Sequence, residues 1–226
     1  MPRLAIIPAR GGSKRIPRKN IKNFHGKPII AYSIETAIKS GLFDEVMVST
    51  DDVEIKNISL ELGAKVPFLR SENTSNDTAT TLEVIREVLE SYKKEDRTFD
   101  EVCCIYPTAP LMKSSHLTAG LDLLENEIAS VFPVVPFSFP ILRSLKVDED
   151  NFVSMNWPEY SHTRSQDLPA AYHDAGQWYW LRPELISDSL YSVNSKVIIL
   201  SEMEVQDIDN ESDWKMAEVK WKMGNE

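Results

Sequence analysis

The run Leu4-Ala5-Ile6-Ile7-Pro8-Ala9-Arg10-Gly11-Gly12-Ser13-Lys14-Arg15-Ile16-Pro17-Arg18-Lys19-Asn20-Ile21 starts as a strand and finishes as a cationic loop. Its first five residues are continuously apolar, the pattern of a strand buried on both faces. The strand feeds straight into a pair of glycines, which allow a close approach of backbone to ligand and whose N–H groups can form an anion-binding concavity. Arg10, Lys14, Arg15 and Lys19 then supply charge for phosphate oxygens. The run predicts a phosphate-binding loop in which Arg10, Gly11, Gly12, Ser13, Lys14, Lys19 and Asn20 are candidate contacts. It matches neither G-x-x-x-x-G-K-[ST] nor G-x-G-x-x-G, so the two commonest nucleotide-binding motifs lose weight.

Outward from this loop, strand-like and helix-like segments alternate. Pro28 opens a helical pattern with Ile30, Ile34, Ala37 and Ile38 on one face, closed by Gly41. Glu45 to Thr50 reads as a strand, 52–62 as a helix ended by Gly63, 64–69 as a strand, and a long helix runs from Thr78. Val102 to Tyr106 is a buried strand, 114–127 a helix starting from a Ser114/Ser115 cap, and Ser130 to Val135 another strand. This alternation predicts βαβ units around one sheet. From 136 to 173 it breaks into prolines, aromatics and a turn at Asp148 to Asn151, as expected of an antiparallel excursion. Strands at Gln177 to Leu181 and Lys196 to Leu200 follow, then a helix from about 211 with Trp214, Ala217 and Trp221 on one face. One domain, residues 1–226, with an insertion at about 136–173, is the expected organisation.

Charge sharpens the picture. The chain has 25 basic and 35 acidic residues, net −10, yet residues 1–34 contain eight basic and no acidic side chains. A local site for a small, densely charged anion fits this asymmetry; a nucleic-acid surface does not, because the remainder carries 17 basic against 35 acidic residues and repels polyanions. The longest apolar run falls short of the roughly 18 residues of a membrane-spanning helix. The two cysteines, Cys103 and Cys104, are adjacent in a strand and point to opposite faces, so reduced structural thiols and a cytoplasmic location are expected.

A second constellation is Asp207 and Asp209, two carboxylates at i and i+2 that project to one side of an extended segment. Hard oxygen ligands in a pair, completed by water and phosphate, suit Mg²⁺, with Mn²⁺ as a substitute. The same residues also read as an acidic helix start, with Asp209 or Asn210 capping. The four histidines lack zinc or triad spacing, and the five tryptophans read as core.

The basic run, Arg70 with Asp77, Tyr106-Pro107-Thr108-Ala109-Pro110-Leu111 and Gln206-Asp207-Ile208-Asp209 together resemble, in order and spacing, the CMP-sugar synthetases, cytidylyltransferases that activate nine-carbon keto-acid sugars. The resemblance implies an α/β class, a three-layer α/β/α nucleotide-diphosphosugar transferase fold with a mostly parallel sheet and an inserted subdomain that makes a homodimer. It implies attack of the anomeric hydroxyl on CTP, giving CMP-sugar and pyrophosphate. Arg10, Lys19 and Asp209 would then be catalytic, Asp207 and Asp209 would hold Mg²⁺, and Arg70 and the backbone near Ala79 would read cytosine. Tyr106 and Ala109 stand where sialic-acid members have glutamine and serine, and Asp174-Ala175-Gly176-Gln177-Trp178-Tyr179 looks like the pseudaminic acid branch. Tyr106, Arg164, Asp174, Gln177 and Tyr179 are the sugar-binding candidates, Arg164 for the carboxylate because a guanidinium pairs with it bidentately. The same reaction on N-acetylneuraminic, legionaminic or ketodeoxyoctonic acid is the alternative, and a non-catalytic phosphate or nucleic-acid binding module a distant one.

Overall fold

A computed structural model describes residues 1–186 and 188–225. The chain forms β1 (Arg3–Pro8), a small hairpin of β2 (Asn23–Phe24) and β3 (Lys27–Pro28), α1 (Ile29–Ser40), β4 (Glu45–Ser49), α2 (Val53–Glu61), the single turn α3 (Glu72–Ser75), α4 (Thr81–Lys93), β5 (Glu101–Ile105), α5 (Ser114–Asp122) and β6 (Ser130–Pro136). An arm carries the hairpin β7 (Leu145–Val147) and β8 (Val153–Met155); β9 (Tyr172–Asp174), β10 (Trp178–Leu181), β11 (Ser195–Ile199) and α6 (Glu211–Asn225) follow.

The main sheet runs β11-β6-β10-β5-β1-β4, with β9 paired to β6. β1 is parallel to β4 and β5, and β11 to β6, whereas β10 is antiparallel to both its neighbours. The sheet is therefore mixed, with a parallel set of β1, β4, β5, β6 and β11 and two reversed strands: β10 near its middle and the short β9 beside β6. Strand alternation divides the core. Ala5 and Ile7 of β1 pack with α1, α2 and α5, and Leu4 and Ile6 pack with Ile85, Val88 and Tyr92 of α4 on the other face. Three layers result, each fully buried aliphatic or aromatic side chain contributing about 1.5–3 kcal/mol of transfer free energy. Cys103 and Cys104 lie buried on opposite faces, both free.

Three element expectations need correction. The 64–69 strand reduces to a single bridge: Lys65 exchanges two backbone hydrogen bonds with Val46 and Val48, and then Pro67, which has no N–H, ends the pairing. The helix expected from Thr78 starts at Thr81, fixed by a capping box of Thr80 and Glu83. α5 is shorter than expected and Ser114 is inside it, with Lys113 at the cap and no side-chain cap bond. It stops early because buried Arg182 takes the carbonyls of Leu124 and Glu125.

A smaller cluster positions the functional loop. Ile16 and Phe24, both buried, pack with Ile208 and with Trp214 and Ala217 of α6. The C-terminal helix thus clamps the basic run, and the 206–210 segment leading into that helix must pass beside it.

Candidate active site

The strands β1, β4 and β5 all end on one side of the sheet, where open α/β folds bind ligands. The cleft there has an open volume of about 420 Å³. Arg10, Ser13, Lys14, Arg15, Lys19 and Asn20 form one wall; Arg70, Asn76, Asp77, Ala79 and Thr81 another; Tyr106 to Thr108 lie between, and Asp209 stands at the edge. Residues far apart in sequence converge here: the basic loop follows β1, Tyr106 to Thr108 follow β5, Arg70 to Thr81 lie in the stretch between the Met47–Lys65 bridge and the start of α4, and Asp209 precedes the clamping helix.

The basic loop and the aspartate segment meet directly. Lys19 Nζ donates to the Ile208 carbonyl at 2.5 Å and stands 3.9 Å from Asp209, and Arg15 lies 2.9 Å from the same carboxylate. Burial lowers the Lys19 ammonium below its ordinary value, against the upward pull of Asp209 and Asp207. Asp207 is raised above the usual carboxylate range by partial desolvation, then by the like charge on Asp209. Asn210, not Asp209, caps α6, accepting from the Ser212 and Asp213 amides, so the Asp209 carboxylate is left for the cleft.

Across to the opposite wall, Arg10 reaches Asp77 at 2.7 Å, and Lys14 pairs with the same carboxylate. Lys14 and then Arg10 hold the exposed Asp77 carboxyl below its usual range. Asn20, buried, donates to the Arg10 carbonyl at 2.9 Å and braces the loop. Arg70 is fixed across the end of β4, donating to the Ser49 hydroxyl at 3.0 Å and the Ser49 carbonyl at 2.5 Å.

Other candidates sit elsewhere. Gly11 does not offer a free amide to an anion: its N–H donates to Asp51 at 2.9 Å, and a β-carbon there would stand 2.6 Å from Asp52, which is why glycine is needed. Gly12 is exposed and neither glycine lines the cleft. Tyr106 is in the lining, its hydroxyl 3.1 Å from that of Thr81. Tyr179 stands behind it, buried, and donates to Asp174 at 2.5 Å; Tyr191 donates to the same oxygen. Gln177 is buried and donates to the Glu204 carbonyl. Asp174, Gln177 and Tyr179 therefore support the wall from behind and do not line the cleft. Arg164 is exposed on the arm and is not part of the lining in one chain.

Asp207 is outside the lining, its side chain 3.8 Å from where a β-carbon on Gly176 would be, yet near enough to Lys19 for its charge to act on the ammonium. No group of three or more His, Cys, Asp or Glu side chains suited to a metal exists among the described residues. The donor set is two hard carboxylates two residues apart, Asp207 and Asp209, which fits a Mg²⁺-like ion that keeps water and phosphate ligands and does not fit a closed protein cage.

Sequence reasoning missed Arg18, Asp51 and Asp52. Arg18 donates to Asp52 at 2.5 and 3.0 Å and to Glu54 at 2.5 Å, and this pairing holds the Asp52 carboxyl at about 2. The available signal was Asp52 just before Val53-Glu54, an N-cap signature at the end of a strand.

A family model described as Cytidylyltransferase matches residues 4–177. The chain is 42% identical over 229 residues to the pseudaminic acid cytidylyltransferase of Campylobacter jejuni subsp. jejuni serotype O:2, covering all of this chain and 99% of that one. It is 30% identical to the CMP-N,N'-diacetyllegionaminic acid synthase of Legionella pneumophila subsp. pneumophila, over 99% of this chain and 97% of the relative. Among solved structures, a CMP:2-keto-3-deoxy-manno-octonic acid synthetase complexed with CTP superposes with a TM-score of 0.71 at 17% identity, over 100% of this chain and 99% of the other, which establishes likeness of fold.

Proposed function

The chain belongs to the cytidylyltransferase family, and from that premise we propose that it transfers CMP from CTP to the anomeric hydroxyl of pseudaminic acid, releasing pyrophosphate. The observation that carries the reading is the meeting of Lys19 with the Asp209 segment in a cleft that also holds Arg10 and Arg70. Full-length similarity to a pseudaminic acid cytidylyltransferase supports the choice of sugar.

The reaction is an in-line displacement. The sugar oxygen forms a bond to the α-phosphorus, the bond from that phosphorus to the bridging oxygen breaks, pyrophosphate leaves with that oxygen, and the hydroxyl proton is lost to water. Charge spreads over phosphoryl oxygens, so the protein's task is alignment and cationic stabilisation. Arg10 and Lys14 would exchange Asp77 for phosphate, Lys19 would face the charge developing on pyrophosphate, and Arg70, rigid on Ser49, would read the base with the backbone near Ala79. Asp207 and Asp209 would hold Mg²⁺, which when bound neutralises phosphate oxygens. Tyr106, supported by Tyr179 and Asp174, would contact the sugar.

The arm leaves Phe139 84%, Phe152 72%, Val147 63% and Val153 61% exposed. Apolar groups on this scale call for a partner, and we assign that role to a second copy of the chain, whose Arg164 would reach the sugar carboxylate. The cytoplasm, where CTP is made, is the compartment that suits this chemistry and two free buried cysteines. No helix among the described residues is long and apolar enough to cross a membrane.

The test is pyrophosphate release with CTP and a panel of pseudaminic, legionaminic, N-acetylneuraminic and ketodeoxyoctonic acids, with the CMP-sugar identified by mass. Turnover preferring pseudaminic acid supports the reading; preference for another acid reassigns the sugar, and no turnover with any removes the function.

A further inference from the structure

The loop from Arg10 to Lys19 has little backbone support of its own. Within it, the Ser13 amide donates to Gly11 at 3.1 Å and the Lys19 amide to Ile16 at 3.2 Å. Side chains tie it to other segments, at Asp77, Ile208 and Asp209 and, at two points, to one corner, the Thr50-Asp51-Asp52 segment after β4. Gly11 donates to Asp51 and packs flat on Asp52, and Arg18 grips Asp52 bidentately with one nitrogen shared to Glu54. Asp52 is itself immobilised, since its carboxylate accepts the Glu54 and Ile55 amides at the start of α2.

Arg18 has φ 54° and ψ 31°, a left-handed conformation that a residue with a β-carbon avoids and glycine adopts freely. An arginine here costs backbone strain, so its side chain must return something the turn alone does not require. It does not line the cleft, and both its terminal nitrogens are engaged by carboxylates. Its carbonyl accepts the Ile21 and Lys22 amides at 3.0 Å, so Arg18 opens the turn on which Lys19 is mounted. We propose that Arg18, through Asp52, is a positioning residue: it sets the direction in which the Lys19 ammonium points, and thereby the affinity of the cleft for the phosphate chain. Fixed cations bind a polyanion without first paying for their own ordering, which is the physical basis of the gain.

This inference rests on the cytidylyltransferase reading, and its test separates the two. Arg18→Gly removes the side chain while relieving the backbone, Arg18→Lys keeps one charge, and Asp52→Ala removes the other partner. For each, the dissociation constant of pyrophosphate is measured by calorimetry beside Tm, KM for CTP and kcat. Arg18→Gly is expected to weaken pyrophosphate roughly 5- to 50-fold and to raise KM for CTP more than it lowers kcat. Arg18→Lys should recover part of the loss, and the Arg18→Gly/Asp52→Ala double variant should lose no more than the worse single one, as for residues acting as a unit. The proposal is overturned if Arg18→Gly binds pyrophosphate like the wild type, whatever its Tm, or if the losses of the two single variants add. Should wild-type protein bind pyrophosphate and Arg18→Gly lose it while no sugar is turned over with CTP, the positioning role stands and the reaction assignment fails.

Discussion

Two long excursions leave the sheet, the basic loop after β1 and the arm after β6, and they are built on opposite principles. The loop is anchored from within the chain: Ile16 and Asn20 are buried, α6 clamps it, Asp51 accepts from Gly11, Asp52 from Arg18, Asp77 pairs with Arg10 and Lys14, and Asp209 with Arg15. The arm has a regular hairpin, with Asn151 in the left-handed turn position, yet it turns phenylalanine and valine side chains to solvent. One segment finds all its partners inside the chain, and the other has apolar side chains that the chain does not cover. Rigidity belongs where charge must be aimed, and exposed apolar area where a second molecule is to be met.

The largest break in this contrast is at Lys19. Lys19→Ala should lower kcat/KM for CTP by about 10²–10³-fold, the scale of one lost preorganised donor to transition-state charge. Its Tm should move by no more than a few degrees, since the ammonium packs no core. Unchanged kcat/KM would leave the anchored loop without its central role.

Next comes the aspartate side of the same cleft. Asp209→Asn should reduce Mn²⁺ affinity, read by electron paramagnetic resonance of the free ion, by at least the roughly 10–100-fold that losing an outer-shell partner costs. Mg²⁺ should likewise raise the Tm of the wild type at neutral pH, and chelation should abolish that rise. Equal Mn²⁺ binding in the variant would remove Asp209 as a ligand.

The arm is tested by charge. Phe152→Glu should raise the dimer dissociation constant about tenfold or more, the equivalent of about 1.4 kcal/mol, by sedimentation. Monomeric wild-type protein at micromolar concentration would contradict the idea that a second copy covers the arm.

The smallest effect is expected at Asp77, which pairs with Arg10 and Lys14 and on the proposed reading competes with phosphate for them. Exposed pairs contribute about 0.2–1 kcal/mol, so Asp77→Asn should tighten pyrophosphate binding by roughly 1.4- to 5-fold. Weaker binding would mean that Asp77 orients the loop and does not compete with the ligand.

The sequence by itself determined the layers and the loop. Apolar runs such as Leu4 to Ile7 and the helical stripe of Leu82, Ile85 and Tyr92 obey local periodicity, and the concentration of cations before Glu35 is visible without coordinates. The tertiary structure alone decided that β10 enters reversed between β5 and β6, that Gly11's amide is taken by Asp51, that Gln177 and Tyr179 stand behind the cleft, and that Arg18 grips Asp52. The reason is common to all four. Periodicity reports which face of an element is buried, whereas a hydrogen bond between residues 34 or 40 positions apart depends on where two strand ends arrive in space.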